Sequence, residues 1–102
     1  MPQILHVVLV DWRDDLAEDA RAHTRASARN MFGRIPGIVR LDEGPSVSPE
    51  GLEQGYDWGL VITFDSEESR DGYLPHPVHQ VLGDQIGAGA ERLVVFDLAA
   101  SA

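Results

Sequence analysis

Ile4-Leu5-His6-Val7-Val8-Leu9-Val10 is the stretch that decides the fold. It is apolar at odd and even positions alike and rich in β-branched side chains, so it reads as a strand covered on both faces. His6 shares parity with Val8 and Val10, which turns its imidazole into packed surface. Arg92 to Leu98, with Leu93, Val94, Val95 and Phe96, reads as a second strand of this kind at the other end of the chain.

Two further strands lie between them. From Tyr56 to Phe64, alternation sets Tyr56, Trp58, Leu60, Ile62 and Phe64 against Asp57, Gly59, Val61 and Thr63. Ile38 to Glu43 sets Val39 and Leu41 against Arg40 and Asp42, as an edge strand does. Trp12 and Trp58 read as core. Gly44 to Gly55 mixes Gly, Pro, Ser and acids and reads as a surface loop.

The helices follow from a different period. Asp14 and Asp15 open a segment ending near Phe32, in which Leu16, Ala20, His23 or Thr24, Ser27 and Met31 recur at helical spacing. Acids at its start and Arg29 near its end suit the helix dipole. Gly33 suits its end, and Pro36-Gly37 makes a turn. Ser66 before Glu67 and Glu68 reads as the cap of a short helix, broken by Pro75 and Pro77. A further helical stretch runs from Pro77 to about Gly87. Gly83-x-x-x-Gly87-x-Gly89 closes this helix and holds no base, so it is a fraying end and not a phosphate loop.

The order is β-α-β-β-α-β, an α+β ferredoxin-like arrangement in one domain over residues 1–102. Helices on one side leave the other face of the sheet bare. The simplest cover for so short a chain is a second copy, so a homodimer is expected.

Composition removes several classes of function. Seventeen acids against eight basic residues, a formal charge of −9, oppose binding to nucleic acid. No apolar run reaches the ~18–20 residues that span a bilayer, and Met1-Pro2-Gln3-Ile4 lacks a basic leader. No membrane partner and a cytoplasmic location are therefore expected. Without cysteine there is no thiolate nucleophile or thiolate metal site, and without lysine there is no Schiff base. No Gly-x-Ser-x-Gly elbow is present either. Chemistry must rest on His, Tyr, Asp, Glu, Ser, Arg or a bound ion.

Tyr73-Leu74-Pro75-His76-Pro77-Val78-His79 concentrates such groups. In an unbroken helix, residues six apart sit about 240° round the axis, and Tyr73 and His79 would diverge. Pro77 disfavours the helical conformation at His76, and the resulting bend can bring phenol and imidazole together. Beyond it, His79, Leu82, Gly83 and Ile86 share the inward face. Imidazole moves protons near neutral pH, and a neighbouring phenol can orient it or donate to a developing oxyanion. His79, Tyr73 and His6 are the candidate catalytic residues for removing a carbon-bound proton. His76, Leu82, Ile86, His23 and Arg25 are candidate contacts to a small-molecule substrate.

These residues resemble the stress-responsive dimeric α/β-barrel (Dabb) family over nearly the whole chain. The matching pieces are His6, Ile35-Pro36-Gly37, Gly55-Tyr56-Asp57, Phe64-Asp65-Ser66, Tyr73 to His79, Gly83-Asp84 and Val95-Phe96-Asp97. The resemblance implies a dimeric α/β barrel with a pocket between helices and sheet in each subunit. Polyketide cyclases of the family close linear substrates by intramolecular aldol condensation without cofactor or metal. Their base matches His79, its supporting tyrosine matches Tyr73, and their first-strand histidine matches His6. The first helix departs from those cyclases, because Arg21 to Ala28 offers small and polar groups where they present bulky aromatics. An alternative is a non-catalytic, stress-associated or small-molecule-binding homodimer with structural histidines. An oxygenase-like relative, or a metal held by His76, His79 and distant Asp84, are lesser alternatives.

Overall fold

A computed structural model describes residues 2–101; Met1 and Ala102 lie outside the described residues. Four strands form one antiparallel sheet: β1 (Ile4–Trp12), β2 (Ile38–Pro45), β3 (Trp58–Phe64) and β4 (Ala90–Ala99). Their order across the sheet is β2-β3-β1-β4, and α1 (Glu18–Asn30), α2 (Glu67–Tyr73) and α3 (Pro77–Gly89) make the crossovers. This is the ferredoxin-like α+β fold, with β1 in the interior of the sheet and β2 and β4 at its edges.

Parity decides what is buried. Ile4, His6, Val8, Val10 and Trp12 of β1 join Trp58, Leu60, Ile62 and Phe64 of β3 on the helix-covered face. Leu5, Val7 and Leu9 point the other way, opposite Leu98, Phe96 and Val94 of β4. Among the described residues nothing covers that second face, and Phe96 is 60% exposed.

Several boundaries move from those expected. α1 begins at Glu18 and not at Asp14, because Arg13 to Leu16 close a turn, Leu16 N–H donating to the Arg13 carbonyl, and Ala17 is extended at φ −64° and ψ 147°. Thr24, Ala28 and Met31 then form its inward row, and His23 faces solvent. A bulge between Ile38 and Arg40 breaks the alternation of β2 and leaves Val39 exposed, with Ile38 and Leu41 partly buried instead. Tyr56 lies before β3, stacked under the Arg92 guanidinium. α3 does not fray at Gly87 but continues to Gly89. Gly89 fits tightly there, since a Cβ would sit 2.9 Å from Leu16 Cδ2.

Among the described residues no helix is long and apolar enough to cross a membrane. Trp12 and Trp58 are both buried and stack with ring centroids 5.5 Å apart, closing one end of the core.

Candidate functional site

The break between α2 and α3 is built residue by residue. Ser66 Oγ accepts the Ser69 backbone N–H and starts α2, which ends with Tyr73. His76 is extended at φ −65° and ψ 134°, the conformation a following proline favours, and Pro77 occupies the first turn of α3, where its missing N–H costs nothing. The His76 Nδ1 accepts the Val78 N–H at 3.1 Å and caps α3.

This turn places the Tyr73 and His79 rings 4.1 Å apart, centroid to centroid. His6, reaching over from β1, meets the Tyr73 ring edge-on at 5.4 Å. All three border one cavity of about 250 Å³ between α3 and the β1–β4 side of the sheet. Leu82 and Ile86 line it, with Val8, Leu60, Leu93 and Val95. Apart from the two imidazoles and the phenol, its walls are apolar.

Hydrogen bonding fixes how each group presents itself. His79 Nδ1 lies 2.9 Å from the Leu74 carbonyl oxygen, which can only accept, so Nδ1 carries the proton and Nε2 keeps its lone pair. Burial lowers the His79 pKa, and neighbouring His6 and His76 add to this against the opposing Leu74 bond. The imidazole is therefore neutral at pH 7. Tyr73 is 1% exposed; burial, then the Asp97 charge, raises its pKa, so it remains a phenol. Its hydroxyl makes no hydrogen bond within the described chain.

Behind His6 stands a pair of residues that pattern reading did not pick out. His6 Nδ1 donates to Asp97 Oδ1 at 2.6 Å, and Arg70 Nη1 donates to the other Asp97 oxygen at 2.7 Å. Burial acts to raise the Asp97 pKa, but the bonds from Arg70 and His6 outweigh it and hold it below the usual carboxylate range. The available signal was a lone carboxylate inside the apolar run Leu93 to Leu98. Arg70 gave none.

Three expected substrate contacts lie elsewhere. His23 is exposed on α1. Arg25 donates to Glu43 at 2.8 Å and lines a separate hollow beside Trp12 and Trp58. Glu43 also accepts from Arg29 and Trp58, so Arg25 serves to pin α1 to β2. His76 lines a separate groove with Asp65, Ser66 and Glu68 and does not border the cavity. Among the described residues no three His, Asp or Glu side chains converge as a metal site. The loop after β2 contributes nothing to the cavity wall.

Residues 4–100 match the Stress responsive A/B Barrel Domain, Dabb. The chain belongs to the Dabb family. Olivetolic acid cyclase of Cannabis sativa is 27% identical to this Dabb chain over 94 residues, covering 92% of the chain and 93% of the cyclase. A dimeric ferredoxin-like protein of unknown function from a Jannaschia species superposes with a TM-score of 0.87 at 24% identity, covering 96% of this chain and 99% of that one. Hydroxynitrile lyase of Passiflora edulis superposes with a TM-score of 0.90 at 17% identity, covering 98% and 94%. The two superpositions establish a shared fold.

Proposed function

We propose that this Dabb protein is a homodimeric, cofactor-independent acid/base enzyme acting on a small carbonyl-rich molecule. The reaction class is an intramolecular aldol cyclisation or a related lyase step. His79 Nε2 takes a carbon-bound proton, the Tyr73 phenol donates to the oxygen on which charge develops, and His6 is a second polar anchor. One observation carries this reading: the Leu74 carbonyl commits the His79 proton to Nδ1, leaving a basic nitrogen beside an unengaged phenol in an apolar hollow. The similarity to olivetolic acid cyclase supports the cyclase class, and the fold shared with a hydroxynitrile lyase supports a neighbouring lyase step.

The dimer is inferred from the bare sheet face. Val94, Phe96 and Leu98, with Leu5, Val7 and Leu9, form a contiguous apolar surface of the kind that a monomer does not leave open. The dimeric Jannaschia relative supports the same assembly.

The test is turnover of a panel of β-keto thioesters and aromatic cyanohydrins, followed by product chromatography. His79→Ala should lower the active rate at least 100-fold. A loss under threefold in a folded variant overturns the mechanism.

A second reading rests on the same Leu74 bond, which also ties α3 to the turn: His79 is then structural, in a non-catalytic stress-associated or ligand-binding dimer. That reading requires His79→Ala to lower Tm by several degrees while the panel stays inert with the parent protein.

A further inference from the structure

Two glycines in α3 lack a reason inside the fold. Gly83 and Gly87 lie in the interior of a regular 13-residue helix, where glycine is among the poorest formers. Neither has a positive φ, and a Cβ at either would meet nothing within 4 Å. Gly89, two residues on, is explained by its close approach to Leu16. The other two are not.

Their position supplies the reason. His79, Gly83 and Gly87 are spaced i, i+4 and i+8, one row along α3, and all three line the cavity. The row thus carries the base at one end and no side chain for the next two turns, about 12 Å at 1.5 Å per residue. Exposure separates the floor of the cavity from its mouth. His6, Tyr73 and Leu82 are buried floor, whereas Leu74, Leu93 and Val95 are 47%, 50% and 55% exposed and stand at the rim with the glycines. No charged residue lines floor or rim. At about 250 Å³ the enclosed part falls short of the ~300 Å³ at which drug-sized ligand pockets begin, so a larger molecule must protrude. The Tyr73 phenol borders the floor and has no hydrogen-bond partner among the described residues, so it is the donor a ligand's carbonyl end would meet there.

We propose that Gly83 and Gly87 determine specificity by leaving a channel between α3 and β4, along which the apolar tail of an uncharged carbonyl ligand runs out from the His79–Tyr73 pair. This rests on the proposed function above, whose reacting pair it takes as the head-group site. With no cation facing the channel and a formal charge of −9, a free carboxylate is disfavoured.

The experiment uses 2-alkanones of five to eleven carbons as probes and the alkanoates of equal length as controls, with affinity read from the ¹⁵N shifts of His79 and from calorimetry. Ketone affinity should rise two- to fourfold per methylene, the upper figure being roughly that of full burial, and alkanoates should bind at least tenfold more weakly. Gly87→Leu should remove the gain for the longer ketones and spare the five-carbon one. Gly83→Ala with Gly87→Ala should raise Tm by several degrees, with the oligomeric state unchanged by light scattering. The channel is overturned if no ketone binds, if affinity is independent of length, if alkanoates bind equally well, or if Gly87→Leu alters assembly instead of length preference. Failure of the base reading looks different: the length series and its Gly87 dependence persist, but His79→Ala leaves every turnover rate unchanged.

Discussion

His6 and Asp97 face each other across the β1–β4 register, with Nδ1 of one 2.6 Å from Oδ1 of the other. Because a carboxylate only accepts, the bond commits the His6 proton to Nδ1, and Arg70 holds the same carboxylate charged from the other side. Asp97→Asn breaks the charge assistance to both partners. It is expected to cost about 1–3 kcal/mol, read as a fall in Tm, and to move the His6 ring ¹⁵N shifts towards a mixture of tautomers. Unchanged shifts would show that His6 is held by packing alone.

The pH dependence of His79 has a definite sign. Its folded pKa is lowered from 6.5 mainly by burial, so the unfolded chain binds more protons than the folded one as pH falls past 6.5. The stability it contributes is therefore complete above pH 6.5 and lost as pH falls below it. A His79-dependent rate should likewise be flat from pH 7 to 8, with its acid limb centred below 6.5. Chemical denaturation and rate profiles between pH 5 and 8 check both. A limb centred above pH 7 would contradict the neutral, desolvated imidazole.

Tyr73→Phe separates chemistry from packing. The hydroxyl makes no bond within the described chain, so its loss should change stability by less than about 0.5 kcal/mol. Turnover should nevertheless fall about 10- to 100-fold if the phenol stabilises an oxyanion. Denaturation midpoints and rates measured on one preparation decide it.

Glu43 anchors α1 to the sheet. Its burial acts to raise its pKa, but hydrogen bonds from Arg25, Trp58 and Arg29 prevail and lower it from 4.5 to about 2. The stability it provides is present above pH 4.5 and disappears as pH falls towards 2. Glu43→Ala should cost about 2 kcal/mol at pH 7, discounted for the solvent-exposed arginines, and should flatten the acid limb of the stability curve. Urea midpoints at pH 3, 5 and 7 for parent and variant test this.

Phe96 tests the assembly. Placing a carboxylate on the bare face, on edge strand β4 opposite Val7, with Phe96→Glu should convert dimer to monomer at micromolar concentration, as seen by light scattering. A dimer that survives the change must use another surface.

Much of the architecture was written in periodicity. The two-faced apolar strand at Ile4–Val10, the Ser66 cap and the proline pair after Tyr73 each act through neighbours in the chain, and each specified its element locally. The bulge at Ile38 and the true phase of α1 were not legible, since pairing with β3 and the hydrogen bonds that tie Arg13 to Ala88 and Gly89 at the end of α3 are long-range contacts. Arg25 looked like a pocket residue until Glu43, eighteen residues away, claimed it.

The sequence by itself determined the strand and helix order, the local turn at Pro75–Pro77, and a chemistry without thiol or amine side chains, left to imidazole, phenol, carboxylate, hydroxyl, guanidinium or a bound ion. Tertiary structure alone decided which groups from outside that turn join Tyr73 and His79. His6 and Asp97 are 91 residues apart and are joined only by strand register, and the vacant row after His79 becomes a channel only because β4 lies opposite it. Local propensity acts over a few residues. Contacts between distant groups depend on how the layers pack, which no short window of sequence encodes.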